Sequence, residues 1–345
     1  MIEIQDTTNA FKVFPGPILL LAGPGTGKTF QLAHRVKYLM EKNFATPDEI
    51  CVITFTNEAA RNMRERLKEP DIGLEPEQYP SIISTMHSLG NAIIGNALDR
   101  VNLPQEYSIL TNRHIRNLVL QDASYLALRD RTLWKPTDDC RRCGNCVIIP
   151  KNIAEDKCQV CAKYIEILRK CSYIDYDDQI MLACQILEHN PDIAIRWQLK
   201  TKHLLVDEYQ DINYAQFRLI QLLSHEHKNG LFVVGDDDQS IYSFRGGSPD
   251  FIRQFDKHFG ENSRIGRLSM SWRCPEHILK AGRSIISYYY PGSIPKPTPT
   301  FSDKIKENHK VVFLDVPSEQ TEASIITTKV QSYLKNLFFQ NSFVY

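Results

Sequence analysis

The chain has 345 residues, with 41 Lys and Arg against 41 Asp and Glu, and its apolar and charged fractions are those of an ordinary globular protein. Balanced charge excludes an overall basic field, so any nucleic-acid contact must come from local patches. The polar start MIEIQDTTNAFK lacks the basic and apolar regions of an export signal, and the apolar run Ile18 to Ala22 is too short to span a bilayer. Five of the nine Cys crowd between Cys140 and Cys161, which reads as a metal site in a reducing compartment and not as a disulfide framework. These features predict a cytoplasmic protein without a membrane partner.

In chain order, Pro17 to Ala22 reads as a buried parallel strand, followed by the loop Gly23 to Thr29. A helix follows to about Asn43, with Leu32, Val36, Leu39 and Met40 on one stripe. Ile50 to Phe55 is a second strand with a helix from about Asn57. From about Gly90 to Cys171 the alternation stops, and the stretch reads as an inserted, mainly helical domain. His203 to Val206 and Leu231 to Val234 are short strands, each with acidic residues after it. Tyr288 to Thr300 (YYYPGSIPKPTPT) is an extended Pro-rich connector; Lys310 to Asp315 then predicts a strand and Glu322 to Leu337 a helix. Alternating strands and helices imply an α/β domain with a mostly parallel sheet, whose ligands sit at the carboxyl ends of strands.

The segment Gly23 to Thr29 (GPGTGKT) lies between a strand and a helix, the setting of a phosphate-binding loop. Gly23, Gly25, Thr26 and Gly27 would bring backbone N–H groups to phosphates, Lys28 would reach the β- and γ-phosphates, and the Thr29 hydroxyl would hold Mg²⁺. The strict pattern has Gly where this chain has Ala22. In LLVDE, Asp207 at a strand end can coordinate Mg²⁺ and Glu208 can polarise water as general base. An apolar run ending in Asp-Glu is common by itself; paired with the loop it points to NTP hydrolysis.

Five further segments stand in one order. VITFTNEAARNMRER (52–66) resembles motif Ia of UvrD/Rep/PcrA helicases of superfamily 1, STMHSL (84–89) motif Ib, VDEYQD (206–211) motif II, VGDDDQSIYSFRGG (234–247) motif III, and LSMSWR (268–273) motif IV. The resemblance covers nearly the whole chain outside the insertion. It implies a RecA-like P-loop NTPase domain (1A) formed by residues 1–89 and 173–287, an inserted 1B domain over 90–172, and a linker with the truncated start of domain 2A over 288–345. It implies an ATP-dependent 3′–5′ DNA translocase or helicase, of the kind serving DNA repair, that acts on single-stranded and duplex-junction DNA. Motifs V and VI of a second motor domain are not found, so a missing C-terminal half is expected. The rival reading is a truncated ATP- and DNA-binding module without turnover; a P-loop ATPase acting on proteins would have no use for base-stacking aromatics.

The resemblance also assigns roles. Gln239 would sense the γ-phosphate, Arg273 would stabilise its transition-state charge, and Trp272 would stack on adenine. Gln5 is the candidate adenine-reading Gln, although its spacing to the loop departs from the family's, and Phe30 stands where Arg is frequent. Phe55, Tyr242 and Phe244 would stack on bases, with Phe244 in place of the usual Trp, and Asn57, His87 and Arg245 would contact DNA. For Phe55 and Tyr242 core packing is the alternative, and for Arg61, Arg64 and Arg66 a solvated helix face is favoured over phosphate contacts. The stretch Ile174 to Asp178 resembles the family's return from 1B to 1A and reads as structural.

Cys140-x-x-Cys143 and Cys158-x-x-Cys161 flank a short loop at the spacing of a tetrahedral, structural Zn²⁺ knuckle, with Cys146 spare or substituting for Cys140. A four-Cys iron–sulfur cluster and free thiols are the alternatives. Helicases of this family usually lack such a site.

Overall fold

The computed structural model describes residues 1–101, 103–111, 116, 141, 164–290, 292–301 and 314–341. Its centre is a seven-stranded sheet, every pair parallel, built from β1 (Ile2–Glu3), β2 (Ile18–Ala22), β3 (Ile50–Thr54), β4 (Ile82–Thr85), β7 (His203–Val206), β8 (Phe232–Gly235) and β9 (Arg264–Leu268). The spatial order is β1-β9-β2-β8-β7-β3-β4. β2, β3, β7 and β8 are buried along their whole length, which is why they read as unbroken apolar runs. Short β5 (Ser108–Ile109) and β6 (Tyr173–Ile174) pair apart from this sheet, as do β10 (Met270–Ser271) and β11 (Thr300–Phe301).

Helices cover both faces. On one, α1 (Lys28–Glu41) and α2 (Asn57–Lys68) bury Leu32, Val36, Leu39, Met63 and Leu67 against Leu20, Val52 and Val234. On the other, α3 (Met86–Gly95), α4 (Tyr176–His189), α5 (Pro191–Lys200) and α6 (Tyr214–Ser224) pack around Leu19, Ile53, Leu204 and Val233. The expected stripe on α1 is present except for Met40, which is only half-buried, and the helix stops at Glu41. Phe55 lies outside β3 because Thr56 caps α2, accepting the Ala59 N–H at 3.0 Å. Position 90, the expected start of the insertion, falls within α3, where Gly90, Ile93 and Ile94 are buried. A Cβ on Gly90 would sit 2.5 Å from the Gln179 carbonyl oxygen of α4.

After β9 the chain continues as α7 (Glu276–Tyr289), the irregular connector 292–299, β11 and the helix α8 (Glu319–Asn341). The last begins three residues before its expected start, because the Ser318 hydroxyl accepts the Thr321 N–H. Most of the strand expected over 310–315 lies outside the described residues, and Leu314 and Asp315 are irregular. Cys140, Cys143, Cys146, Cys158 and Cys161 also lie outside them. Arg141, between two of those Cys, is described: it is fully buried, meets both carboxylate oxygens of Asp175 at 2.7 Å, and reaches Asp178 at 3.3 Å. No described helix is long and apolar enough to cross a membrane.

Candidate functional site

The sheet places each candidate loop at the carboxyl end of a strand. The glycine-rich loop follows β2, Phe55 and Asn57 follow β3, His87 follows β4, Asp207 and Glu208 follow β7, Gln239 to Arg245 follow β8, and Trp272 and Arg273 follow β9 and β10. Parallel strands carry this arrangement automatically, since all their carboxyl ends point the same way.

Gly25 and Gly27 have φ of +74° and +94°, so the turn into α1 uses conformations that side-chain-bearing residues avoid. At Gly25 there is also no room: a Cβ would lie 2.9 Å from the Arg273 Cβ. The loop is closed by the Thr26 hydroxyl, which donates to the Gly23 carbonyl at 2.8 Å. It is joined to the segment after β10 by the Trp272 N–H, which donates to the Gly25 carbonyl at 2.8 Å. Trp272 is 60% exposed, and Arg273 is exposed beside the loop.

Lys28 Nζ donates to Glu208 Oε2 at 2.7 Å, joining the glycine-rich loop to the acidic strand end across 180 positions of sequence. Glu208 is held with φ +49°, an uncommon conformation for a residue with a side chain. Asp207 is half-buried beside it. Burial, reinforced by the Glu208 charge, pushes its carboxyl up to about 6. Burial, again with Glu208 nearby, raises Asp211 to about 6 as well. With the Thr29 hydroxyl, Asp207 supplies hard oxygen donors of the kind that suit Mg²⁺.

Gln210 received no role from the sequence, though it lies inside the motif II segment. Its Nε2 donates to Glu208 Oε2 at 2.8 Å, and its Oε1 accepts the Asp236 N–H at 3.0 Å. It thereby ties the loops after β7 and β8. Gly235 makes room for it: a Cβ there would be 2.6 Å from Gln210 Oε1. Gln239 donates to Asp236 Oδ2 at 2.6 Å. The signal available in the sequence was the presence of an amide between two acidic groups in VDEYQD.

Phe55 and Tyr242 are half-buried, with ring centroids 4.9 Å apart. Phe244, 71% exposed, lies 5.8 Å beyond Tyr242, and the Arg245 guanidinium sits 5.2 Å from Tyr242 and 5.6 Å from Phe244. The three rings and the guanidinium form one platform. Next to it is a cleft of about 410 Å³, lined by Phe55, His87, Tyr176 and Arg245 and reaching Asp207 and Glu208. His87 meets the Tyr176 ring edge-on at 5.5 Å. Asn57 is exposed at the start of α2. The basic residues of α2 divide: Arg64 donates to the Ile83 carbonyl and Arg66 to Asp71, so both are committed internally, while Arg61 is solvated. Gln5 is exposed in a bend after β1, whereas the buried Gln31 holds the N-terminal turn through the Thr8 carbonyl and the Phe11 N–H.

A glycine-rich loop is thus joined to an acidic strand end, with three aromatic rings at adjacent strand ends. Residues 4–260 match the model of the UvrD/REP helicase N-terminal domain. The chain belongs to this family. It is 34% identical over 335 residues to the ATP-dependent DNA helicase Rep of Buchnera aphidicola subsp. Acyrthosiphon pisum, covering 94% of this chain and 50% of that protein. It is 31% identical to the ATP-dependent DNA helicase PcrA of Leuconostoc citreum, over 93% of this chain and 43% of that one. To the PcrA of Bacillus subtilis it is 34% identical, over 80% and 38%. The chain thus spans about half the length of the curated relatives it matches.

Proposed function

We propose that this chain is the ATP-binding motor half of an ATP-dependent single-stranded-DNA translocase or helicase moving 3′ to 5′. The observation that carries the proposal is the Lys28–Glu208 ion pair, one strand away from the Phe55–Tyr242–Phe244 platform. On this reading, phosphate chemistry and base stacking fall on neighbouring loops.

On this reading, the backbone N–H groups of Gly23, Gly25, Thr26 and Gly27 cradle the phosphates at the start of α1. Lys28 exchanges Glu208 for the β- and γ-phosphates, and Glu208, released, takes a proton from the attacking water. Thr29 and Asp207 would hold Mg²⁺, which when bound neutralises and orients the phosphate oxygens. Gln239 turns from Asp236 to the γ-phosphate, Arg273 stabilises the charge that develops there, and Trp272 and Gln5 engage the adenine. Phe55, Tyr242 and Phe244 stack on successive bases, while Asn57, His87 and Arg245 hold the strand. The domain division into 1A, an inserted 1B, 1A again and the start of 2A is part of the same proposal. Residues near 107 and 173, where β5 meets β6, are the favoured junctions of the insertion. A second motor half facing these loops is a proposed partner, supported by the relatives' greater length. DNA repair and a cytoplasmic setting are proposed by the same likeness.

Cys140, Cys143, Cys158 and Cys161 are proposed to hold a structural Zn²⁺. Their spacing supports this. Elemental analysis of the purified chain tests it: one equivalent of zinc is expected, and iron or no metal refutes it.

The test of the function is ATP hydrolysis with and without single-stranded DNA, beside Lys28→Ala. DNA-stimulated turnover that disappears in the variant supports a self-sufficient motor. Nucleotide binding that requires Lys28, without turnover, supports a half-motor awaiting its partner. Binding indifferent to Lys28 refutes the reading.

A further inference from the structure

The Pro-rich connector is fastened to the loops at the nucleotide end of the sheet. Lys296 inserts its ammonium among three consecutive carboxylates after β8, at 2.8 Å from Asp236, 2.6 Å from Asp237 and 2.6 Å from Asp238. Asp237 is fully buried and also accepts the Ile294 backbone N–H at 2.9 Å and Arg253 Nε at 3.1 Å. Farther along, Thr300–Phe301 pair with Met270–Ser271, and the Ser271 hydroxyl donates to the Pro24 carbonyl of the phosphate loop. The Pro295 and Pro297 carbonyls accept from Arg267 and Arg283. Residues 294–301 therefore form a strap from the loop bearing Gln239 to the loop bearing Lys28.

One carboxylate belongs to both ends of this device. Asp236 accepts Gln239 Nε2 on Oδ2 at 2.6 Å and the Lys296 ammonium on Oδ1 at 2.8 Å. When the Gln239 amide leaves for another acceptor, the Asp236 charge is shared by one fewer donor and falls more fully on Lys296. A largely shielded ammonium among carboxylates responds to such a change, because the surrounding dielectric is lower than that of water. Burial alone would lower the Lys296 ammonium, but the three carboxylates outweigh it and raise it, so the charge is retained.

We infer that Lys296 is a positioning residue: it latches the connector to the phosphate-sensing loop and tightens when Gln239 engages a nucleotide γ-phosphate, carrying nucleotide state into whatever follows the connector. The inference rests on the nucleotide-binding reading above. Reciprocity adds a requirement: if nucleotide tightens the latch, an intact latch must tighten nucleotide binding by the same factor.

Hydrogen exchange of the full chain, read by mass spectrometry with and without Mg²⁺ and a non-hydrolysable ATP analogue, tests this. In the unaltered chain the analogue should slow exchange at 294–301 severalfold. Lys296→Met should speed connector exchange by roughly tenfold and abolish the response, and its analogue affinity should fall by the factor seen in the unaltered chain's protection. Lys296→Arg should restore the response, and Gln239→Ala should keep the connector fastened but indifferent to nucleotide. If Lys296→Met does not fold, Lys296→Met with Asp238→Asn, which removes one repelling carboxylate, takes its place. Analogue binding without any change at the connector, or a connector unaffected by loss of Lys296, overturns the latch alone. An unaltered chain that binds no analogue overturns the nucleotide reading and the latch with it.

Discussion

The Lys28–Glu208 pair sets two substitutions in opposition. Its N···O distance is 2.7 Å, with the two side chains 14% and 33% exposed. On the proposed function, nucleotide draws Lys28 away from this carboxylate, so Glu208 would oppose binding while being needed for turnover. A partly screened ion pair of this kind is worth about 1 kcal/mol, and Gln210 remains as a partner for the residue at 208. Glu208→Gln is therefore expected to bind an ATP analogue about fivefold more tightly. It should also lose turnover by about 10²–10⁴-fold, the contribution of a positioned base. Lys28→Ala removes charge-assisted hydrogen bonds worth about 1.5–3 kcal/mol and should weaken binding by roughly 10- to 150-fold. Titration of a fluorescent ATP analogue against the full chain in Mg²⁺ measures both. If Glu208→Gln weakens binding alongside Lys28→Ala, the ion pair is not a competitor of the nucleotide and the reasoning fails.

Other outcomes follow from single positions. Gly25→Ala forces a side chain into left-handed backbone and against Arg273, so analogue affinity should fall at least roughly fivefold while far-ultraviolet circular dichroism stays unchanged. Phe244→Ala removes an exposed ring; single-stranded DNA affinity, read by fluorescence anisotropy, should fall by the about 1–3 kcal/mol of a lost stacking platform, with little shift in Tm. Burial, aided by the nearby Arg35 charge, lowers His203 from 6.5 to about 4, so the folded chain keeps it neutral where the unfolded chain protonates it. Its contribution, at most about 3 kcal/mol, is fully present above pH 6.5 and lost as pH falls toward 4; His203→Phe should flatten the fall of Tm across that window.

Much of this site was legible because its residues lie in short contiguous segments whose chemistry is local. GPGTGKT announces its turn through its glycines, and VDE announces a strand end through apolar residues followed by acid. The sheet was legible for a similar reason: strands buried on both faces are continuous apolar runs. The strand edges were less so, because Thr56 takes the start of a helix and ends β3 one residue early. Gln210 was missed since its importance depends on which loops β7 and β8 bring side by side, a fact of topology and not of neighbours in sequence. Lys296 was missed for the same reason more acutely: within GSIPKPTP it looks like a solvated charge on a spacer, and only the folded chain sets it among three carboxylates about 60 positions away. Phe55 and Tyr242 pack against each other yet remain half-buried, so the core-packing alternative does not account for them fully.

In the sheet, β7 has β8 on one side and β3 on the other. The loop that bears Glu208 is thus the immediate neighbour of both loops that bear the aromatic rings, one inter-strand spacing of about 4.8 Å away in each direction. A displacement of the Glu208 loop would not have to pass through a chain of packed side chains to reach the rings. On the proposed function, the two ends would be coupled across the backbone hydrogen-bond ladders that join β7 to β8 and to β3.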